Sequence, residues 1–260
     1  MQLSGRVVLV TGASRGLGRA LATTLAARGA RVACSARDGA ALDAVVEAIA
    51  EAGGMAKAFP CDLAEPGAAA GLVARVESEL GPLSVLLANH GSTTAGEVRD
   101  LRLADFERDL RTNFLAATAL TAAALPGLRE RGGTLGYVLS GLAHRPLPAW
   151  SAYAASKAAL RAYADALRVE LAGGPVRVLT IQPGPLRTDF LARMARVGRP
   201  RIIEPRRAAR PEDVAETIVR ALERDRARVS VFGPASLVRA ADLVAPRLVD
   251  WLLGRRHRGG

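Results

Sequence analysis

The chain has 260 residues, of which 50% are hydrophobic and 23% charged, and it carries a formal net charge of +11. One large domain with a sizeable core is the natural expectation, with two small ones as the alternative. Two isolated cysteines, Cys34 and Cys61, exclude a disulfide framework or cysteine metal cluster, and no run reaches the roughly 18 apolar residues of a membrane span.

In chain order, a short apolar run at Arg6–Thr11 leads through a glycine-rich turn into an Ala/Leu-rich helical stretch at Leu17–Arg28. Strand-like Ala30–Ser35 precedes helical Ala40–Ala52, and Ala56–Pro60 precedes Gly67–Leu80. Leu83–Ala88 leads to a long helical stretch, Leu103–Arg129, whose last turn Pro126 is expected to end or kink. Thr134–Leu139 is followed by helical Ala152–Ala172, then Val176–Ile181, helical Pro211–Arg224 and a last strand, Arg228–Phe232. This alternation predicts an α/β fold: a doubly wound, mostly parallel sheet of about seven strands, with helices on both faces and right-handed crossovers.

Thr11-Gly-Ala-Ser-Arg-Gly-Leu-Gly18 lies directly between the first strand and the first helix. Backbone N–H groups and the positive end of the helix dipole meet there, which suits a dinucleotide pyrophosphate. Gly12, Gly16 and Gly18 allow the backbone to turn tightly and approach a ligand, with Ser14, Arg15 and Leu17 as further contacts. The spacing is G-x-x-x-G-x-G rather than G-x-G-x-x-G. NAD binders carry an acidic residue about 20 residues past this loop. Here the second strand ends Cys34-Ser35-Ala36-Arg37, and Arg37 and Arg15 suit a 2′-phosphate, so NADP(H) is expected over NAD(H). Asp38 carries the competing reading, since a shift of one residue would set a carboxylate beside the ribose.

Of the 36 cationic residues only Lys57 and Lys157 are lysines. Lys157 stands four residues after Tyr153, on the same face of a helix. A compact ammonium reaches a phenol oxygen and a sugar hydroxyl together, which a planar guanidinium does not. A cation beside a phenol also lowers its pKa, as an acid/base tyrosine requires.

These residues, with several others in order, resemble the classical short-chain dehydrogenase/reductase family from Leu3 to about Phe232. Asp62-Leu63 resembles the pair that contacts adenine, and Asn89-His90-Gly91 resembles the family's Asn-Ala-Gly turn, with His90 in place of Ala. Asn113 matches the family's helix asparagine, Ser140 precedes Tyr153 by the family's 13 residues, and Pro183-Gly184-Pro-Leu-Arg-Thr188 resembles the turn near the nicotinamide. The resemblance implies a catalytic set of Asn113, Ser140, Tyr153 and Lys157. It implies cofactor contacts from Asn89, Gly91, Pro183, Gly184 and Thr188 besides Tyr153 and Lys157. It also implies a carbonyl or alcohol substrate, a water held by Asn113 that links Lys157 to solvent, and a homodimer or homotetramer built through Leu103–Arg129 and Ala152–Ala172. Residues 1–234 are expected to be one catalytic domain, with a substrate loop at 187–211.

Leu142, Leu147, Phe190, Leu191 and Met194 favour an apolar substrate, bounded by Gly141–Trp150 and Phe190–Pro205. His90, His144 and His257 lack metal spacing, so no metal is expected; His144, Trp150 and Ser151 are candidates to flank the cleft. The rival inside the family is a 3-oxoacyl-carrier-protein reductase, and the rival outside it is a non-catalytic NADP-binding or redox-sensing protein. A G-x-S-x-G hydrolase elbow is missing, and separated arginines with 4% aromatics argue against a nucleic-acid module. Residues 193–260 hold 16 Arg and 8 acidic residues, a net +8, which leaves +3 on the first 192. Within them, 235–260 reads as a basic helical extension interrupted at Pro246, which packs on the body or on another subunit or, through Trp251 and the terminal arginines, makes weak contact with an anionic membrane. A reducing cytoplasm is expected, with the protein peripheral at the membrane if the tail binds there.

Overall fold

The computed structural model describes residues 1–188 and 208–231, together with Arg247. Seven strands form one sheet: β1 (Val7–Thr11), β2 (Arg31–Ala36), β3 (Met55–Pro60), β4 (Leu83–Ala88), β5 (Gly133–Val138), β6 (Val176–Gln182) and β7 (Arg228–Ser230). Their order is β3-β2-β1-β4-β5-β6-β7, and every neighbouring pair is parallel. The expected "mostly parallel" sheet is thus wholly parallel among the described residues.

The helices are α1 (Gly16–Ala27), α2 (Gly39–Glu51), α3 (Ala68–Leu80), α4 (Leu103–Leu110), α5 (Ala116–Arg131), α6 (Ser151–Glu170) and α7 (Pro211–Glu223). One core joins α1, α2 and α7 to the sheet through Leu21, Leu25, Ile49 and Ile218. The other joins α3, α5 and α6 through Leu72, Leu120 and Leu160. Covered on both faces, β1 is buried at all five positions, which is why it reads as a continuous apolar run. At the sheet edge β3 alternates with exposed residues, and Lys57 there pairs with Glu79 at 2.8 Å. A charged lysine on an edge strand discourages pairing with another chain, which accounts for one of the two lysines.

The stretch Leu103–Arg129 differs from the single regular helix its composition suggests. It runs as α4, a π-helical turn at Arg111–Leu115, and then α5. Pro126 lies inside α5, which continues to Arg131. Its exposed position leaves the freed carbonyl to water, while fully buried Leu128 holds the last turn on the core. Phe190, Leu191, Met194, Phe232 and, apart from Arg247, the tail 235–260 lie outside the described residues.

Candidate active site

The strand order reverses between β1 and β4, so the loops after these strands diverge and leave a crevice at their carboxyl ends. The glycine loop fills the space between β1 and α1. Gly12 has φ +65, and a Cβ there would lie 2.9 Å from the His90 Cα. On Gly18 a Cβ would overlap the Gly12 carbonyl oxygen. Asn89 closes the other side, donating from Nδ2 to the carbonyls of Thr11 at 2.9 Å and Gly12 at 3.3 Å. Thr188 reaches the same loop after β6, 3.2 Å from where a Cβ of Gly16 would stand. The result is a bare backbone cradle at the start of α1, with room for a pyrophosphate that side chains would otherwise fill.

At the end of β2, Ala36 leaves no carboxylate and the Arg37 side chain is 78% exposed, 4.0 Å from Asp62. Asp38 caps α2, its carboxylate accepting from the Ala41 N–H at 3.1 Å. That bond gives Asp38 a structural partner and weakens its claim on a ribose hydroxyl.

Behind the crevice, Ser140 follows β5, caps the short turn Gly141–Ala143 and hydrogen-bonds Tyr153 near the start of α6. Lys157, one turn on, donates from Nζ to the Val138 carbonyl at 2.9 Å. Asn113 sits in the π turn, 1% exposed. Its Nδ2 donates to the Ser92 carbonyl at 3.0 Å and to Ser156 Oγ at 2.8 Å, while Oδ1 accepts from the Ser92 N–H at 2.8 Å. Both amide hydrogens are therefore taken. The side chain pins α6 and the segment after β4 together. Gly91 permits this closeness: a Cβ there would stand 2.9 Å from Asn113 Oδ1 and 3.7 Å from Lys157 Nζ.

Burial pushes the Tyr153 phenol up to about 12; the hydrogen bond with Ser140 works the other way, and the Asp109 carboxylate adds to the rise. Lys157 is pushed down to about 8 by burial, with Asp109 opposing. The expected depression of the tyrosine by Lys157 is thus not what this structure displays. The ammonium spends its contact on the Val138 carbonyl, and burial is the largest influence on the phenol. His90 is held down to about 3, mainly by burial and then by the Lys157 charge, so it is a neutral ring whose Nδ1 meets Thr11 Oγ1 at 2.7 Å.

A family model for short chain dehydrogenase matches residues 6–196. This chain belongs to the short-chain dehydrogenase/reductase family. It is 35% identical to the Ketoacyl reductase HetN of Nostoc sp. over 88% of this chain and 79% of that protein. It is 33% identical to an oxidoreductase of Mycobacterium tuberculosis over 97% of this chain and 74% of that one. Among solved structures, a metagenomic short-chain oxidoreductase in complex with NADP has a TM-score of 0.76 at 29% identity, over 89% of this chain and 98% of its own. A 3-oxoacyl (acyl-carrier-protein) reductase from Agrobacterium tumefaciens with NADP bound has 0.78 at 29%, over 88% and 93%.

In this short-chain dehydrogenase/reductase one side of Tyr153 is apolar. Leu142, Trp150 and Ala154 pack on it, with Leu147, Ala149 and Ala95 behind them. His144 closes the short turn Gly141–Ala143 and is half-buried, beside that wall. The sequence reading overlooked Asp109, Ser92, Thr94 and Ser156. Asp109 had a signal: it lies four residues before Asn113, so a helix that buries the asparagine tends to bury the acid too. Among the described residues no cluster of His, Cys, Asp or Glu could hold a metal ion, and no helix is long and apolar enough to cross a membrane.

Proposed function

We propose that the protein is an NADP(H)-dependent oxidoreductase that interconverts a ketone or aldehyde and its alcohol, on an apolar substrate. The observation that carries this is the Ser140–Tyr153 hydrogen bond, with Lys157 one turn away and the apolar Trp150–Leu142 wall in front. NADPH, when bound, supplies a hydride to the carbonyl carbon, and NADP+ takes one back in the reverse reaction. The residues of the chain then handle the oxygen. The Ser140 hydroxyl donates to the atom on which negative charge grows, where a fixed donor in a dry site lowers the barrier. Tyr153 gives that oxygen its proton, and a phenol near 12 holds the proton across the neutral range. Lys157 holds the nicotinamide ribose hydroxyls, and Asn113 fixes the geometry of α6 against the Ser92 segment.

Gly12, Ser14, Arg15, Gly16, Leu17 and Gly18 hold the pyrophosphate in this reading. Arg37 meets the 2′-phosphate, Asp62 and Leu63 the adenine, and Asn89, Gly91, Pro183, Gly184 and Thr188 the nicotinamide half. The occupied Asp38 cap and the NADP of the two solved relatives support the choice of NADP(H). Oligomerisation through α4, α5 and α6 is supported by Leu103, Leu115 and Val169, exposed at 74%, 50% and 76%. One sheet with two covered faces supports a single catalytic domain.

A 3-oxoacyl-carrier-protein reductase is the second reading, favoured by the ketoacyl reductase among its relatives and the acyl-carrier-protein reductase among its structural neighbours. NADPH oxidation against a panel of ketones, aldehydes and 3-oxoacyl thioesters, with Tyr153→Phe as control, separates the readings. Turnover confined to thioesters selects the second. No turnover on any carbonyl, with NADPH bound, selects a non-catalytic role.

A further inference from the structure

Asp109 is a fully buried carboxylate at the end of α4, at 0% exposure. Among the described residues it has no ion pair. Neutral groups satisfy it: Ser92 Oγ donates to Oδ1 at 2.7 Å, the Thr94 N–H to Oδ2 at 2.9 Å, and Thr94 Oγ1 to Oδ1 at 3.2 Å. A buried charge held only by neutral donors is costly, so its surroundings matter to its energy. Arg108, on the same helix, is engaged with Thr94 Oγ1 at 2.7 Å and with Asp105 at 3.0 Å. From α6, Tyr153 and Lys157 both feel its charge. His90, in the turn after β4, is neutral beside Lys157.

Ser92, one of the two residues that grip Asp109, is also gripped by Asn113. Ser92 gives its hydroxyl to Asp109 and its backbone N–H and carbonyl to Asn113. Successive turns of one helical rod thus hold a single short segment, and Asn113 ties that rod to α6 through Ser156, the residue before Lys157. We propose that Asp109 is a positioning residue of this site: its carboxylate clamps the Ser92–Thr94 segment onto Asn113, and through Asn113 onto α6, and sets a buried negative charge behind Lys157 and Tyr153. The inference rests on the reading of Tyr153 as the proton donor.

Two effects follow from one charge. A negative group nearby disfavours phenolate, so the tyrosine remains an acid rather than a base. The same group favours ammonium, so the lysine keeps its hold at a pH where burial alone would neutralise it. Tuning of this kind sets the balance between donating and accepting a proton.

The two-lysine composition makes the test clean. Isotope-labelled lysine gives two side-chain NMR signals, assigned with Lys157→Arg, and Lys57 on the exposed edge serves as internal control. Asp109→Asn removes the charge and keeps an acceptor for Ser92. The Lys157 midpoint is expected to fall to lower pH while Lys57 stays put. In parallel, the alkaline limit of carbonyl reduction is expected to move to lower pH, and the ratio of alcohol oxidation to carbonyl reduction at fixed pH to rise. Asp109→Ser, which leaves room for water among the same donors, is the second charge-removing variant. A folded variant whose Lys157 midpoint is unmoved overturns the proposal, and so does loss of the fold in both variants, which would make Asp109 purely structural. The NMR titration needs no substrate, so a wrong substrate reading would leave its result intact.

Discussion

The ring of Trp150 stands edge-on to that of Tyr153, with centroids 6.4 Å apart and planes at 84°. Trp150 is 1% exposed and Tyr153 7%, so the phenol is held from the side by an aromatic wall while its hydroxyl is left to Ser140. Such a contact adds about 0.5–1.5 kcal/mol beyond the area it buries. Tyr153→Phe keeps the wall contact and removes only the hydroxyl. Turnover is expected to fall by about 10²–10⁴-fold, the usual contribution of a general acid. NADPH binding, followed by fluorescence titration, is expected to stay at the wild-type level. Wild-type turnover in this variant would remove Tyr153 from the mechanism.

Arg37 projects from the end of β2, 78% exposed, with the Asp62 carboxylate 4.0 Å away. Losing a hydrogen bond to a charged group costs about 1.5–3 kcal/mol. Arg37→Ala is therefore expected to weaken NADPH by roughly 10–100-fold and to leave NADH nearly unchanged. Calorimetric titration with both nucleotides checks this. Tighter NADH than NADPH binding by wild type would return the ribose contact to Asp38.

The Gly18 position has no space for a methyl group, because the Gly12 carbonyl and the Asn89 amide already occupy it. Gly18→Ala must push the loop or α1 aside, at a cost of about 1–3 kcal/mol for overpacking. A lower melting temperature and loss of nucleotide-induced stabilisation are expected together. A variant that NADPH stabilises as well as wild type would show that the loop is not the pyrophosphate cradle.

Burial pushes the Lys157 ammonium down to about 8. Its pKa is depressed, so the ammonium is present below that pH and absent above it. Carbonyl reduction is expected to hold steady on the acid side and to decline as pH rises through about 8. Lys157→Arg keeps a charge at all these pH values, so the decline should vanish while turnover drops, because a guanidinium does not fit the ammonium's place. Initial rates across the range, at saturating NADPH, provide the measurement. A profile that declines in Lys157→Arg as in wild type would assign the ionisation elsewhere.

The arginine-rich tail at 235–260 is expected to give weak attachment to anionic membranes, through Trp251 and Leu252 with Arg255, Arg256 and Arg258. Co-sedimentation with anionic vesicles is expected at low salt and is expected to disappear at high salt or with neutral vesicles. Full-length protein that stays in the supernatant with anionic vesicles at low salt would reassign the tail to packing against the body or another subunit.

Local patterns carried the fold and much of the candidate site. The apolar run of β1, the glycines between it and α1, and the one-turn step from Tyr153 to Lys157 depend only on near neighbours along the chain. Backbone period and steric demand therefore announce them in the residues themselves. The element ends differ from expectation by a residue or two because fraying and capping are weak preferences.

Other features arise only where distant segments meet. The π turn at Asn113 exists where that side chain must reach both Ser92 and Ser156, and helix propensity carries no record of such a demand. Pro126 could be read as a breaker until Leu128 was seen holding the turn beyond it. The pKa values of Tyr153 and Lys157 depend on burial, on the Val138 carbonyl and on Asp109, three influences from separate elements. The sequence by itself determined which groups enter the crevice and in what order. Tertiary structure alone decided how much water each keeps and which charge stands behind it, because desolvation and Coulomb attraction act through space and ignore the order of residues along the chain.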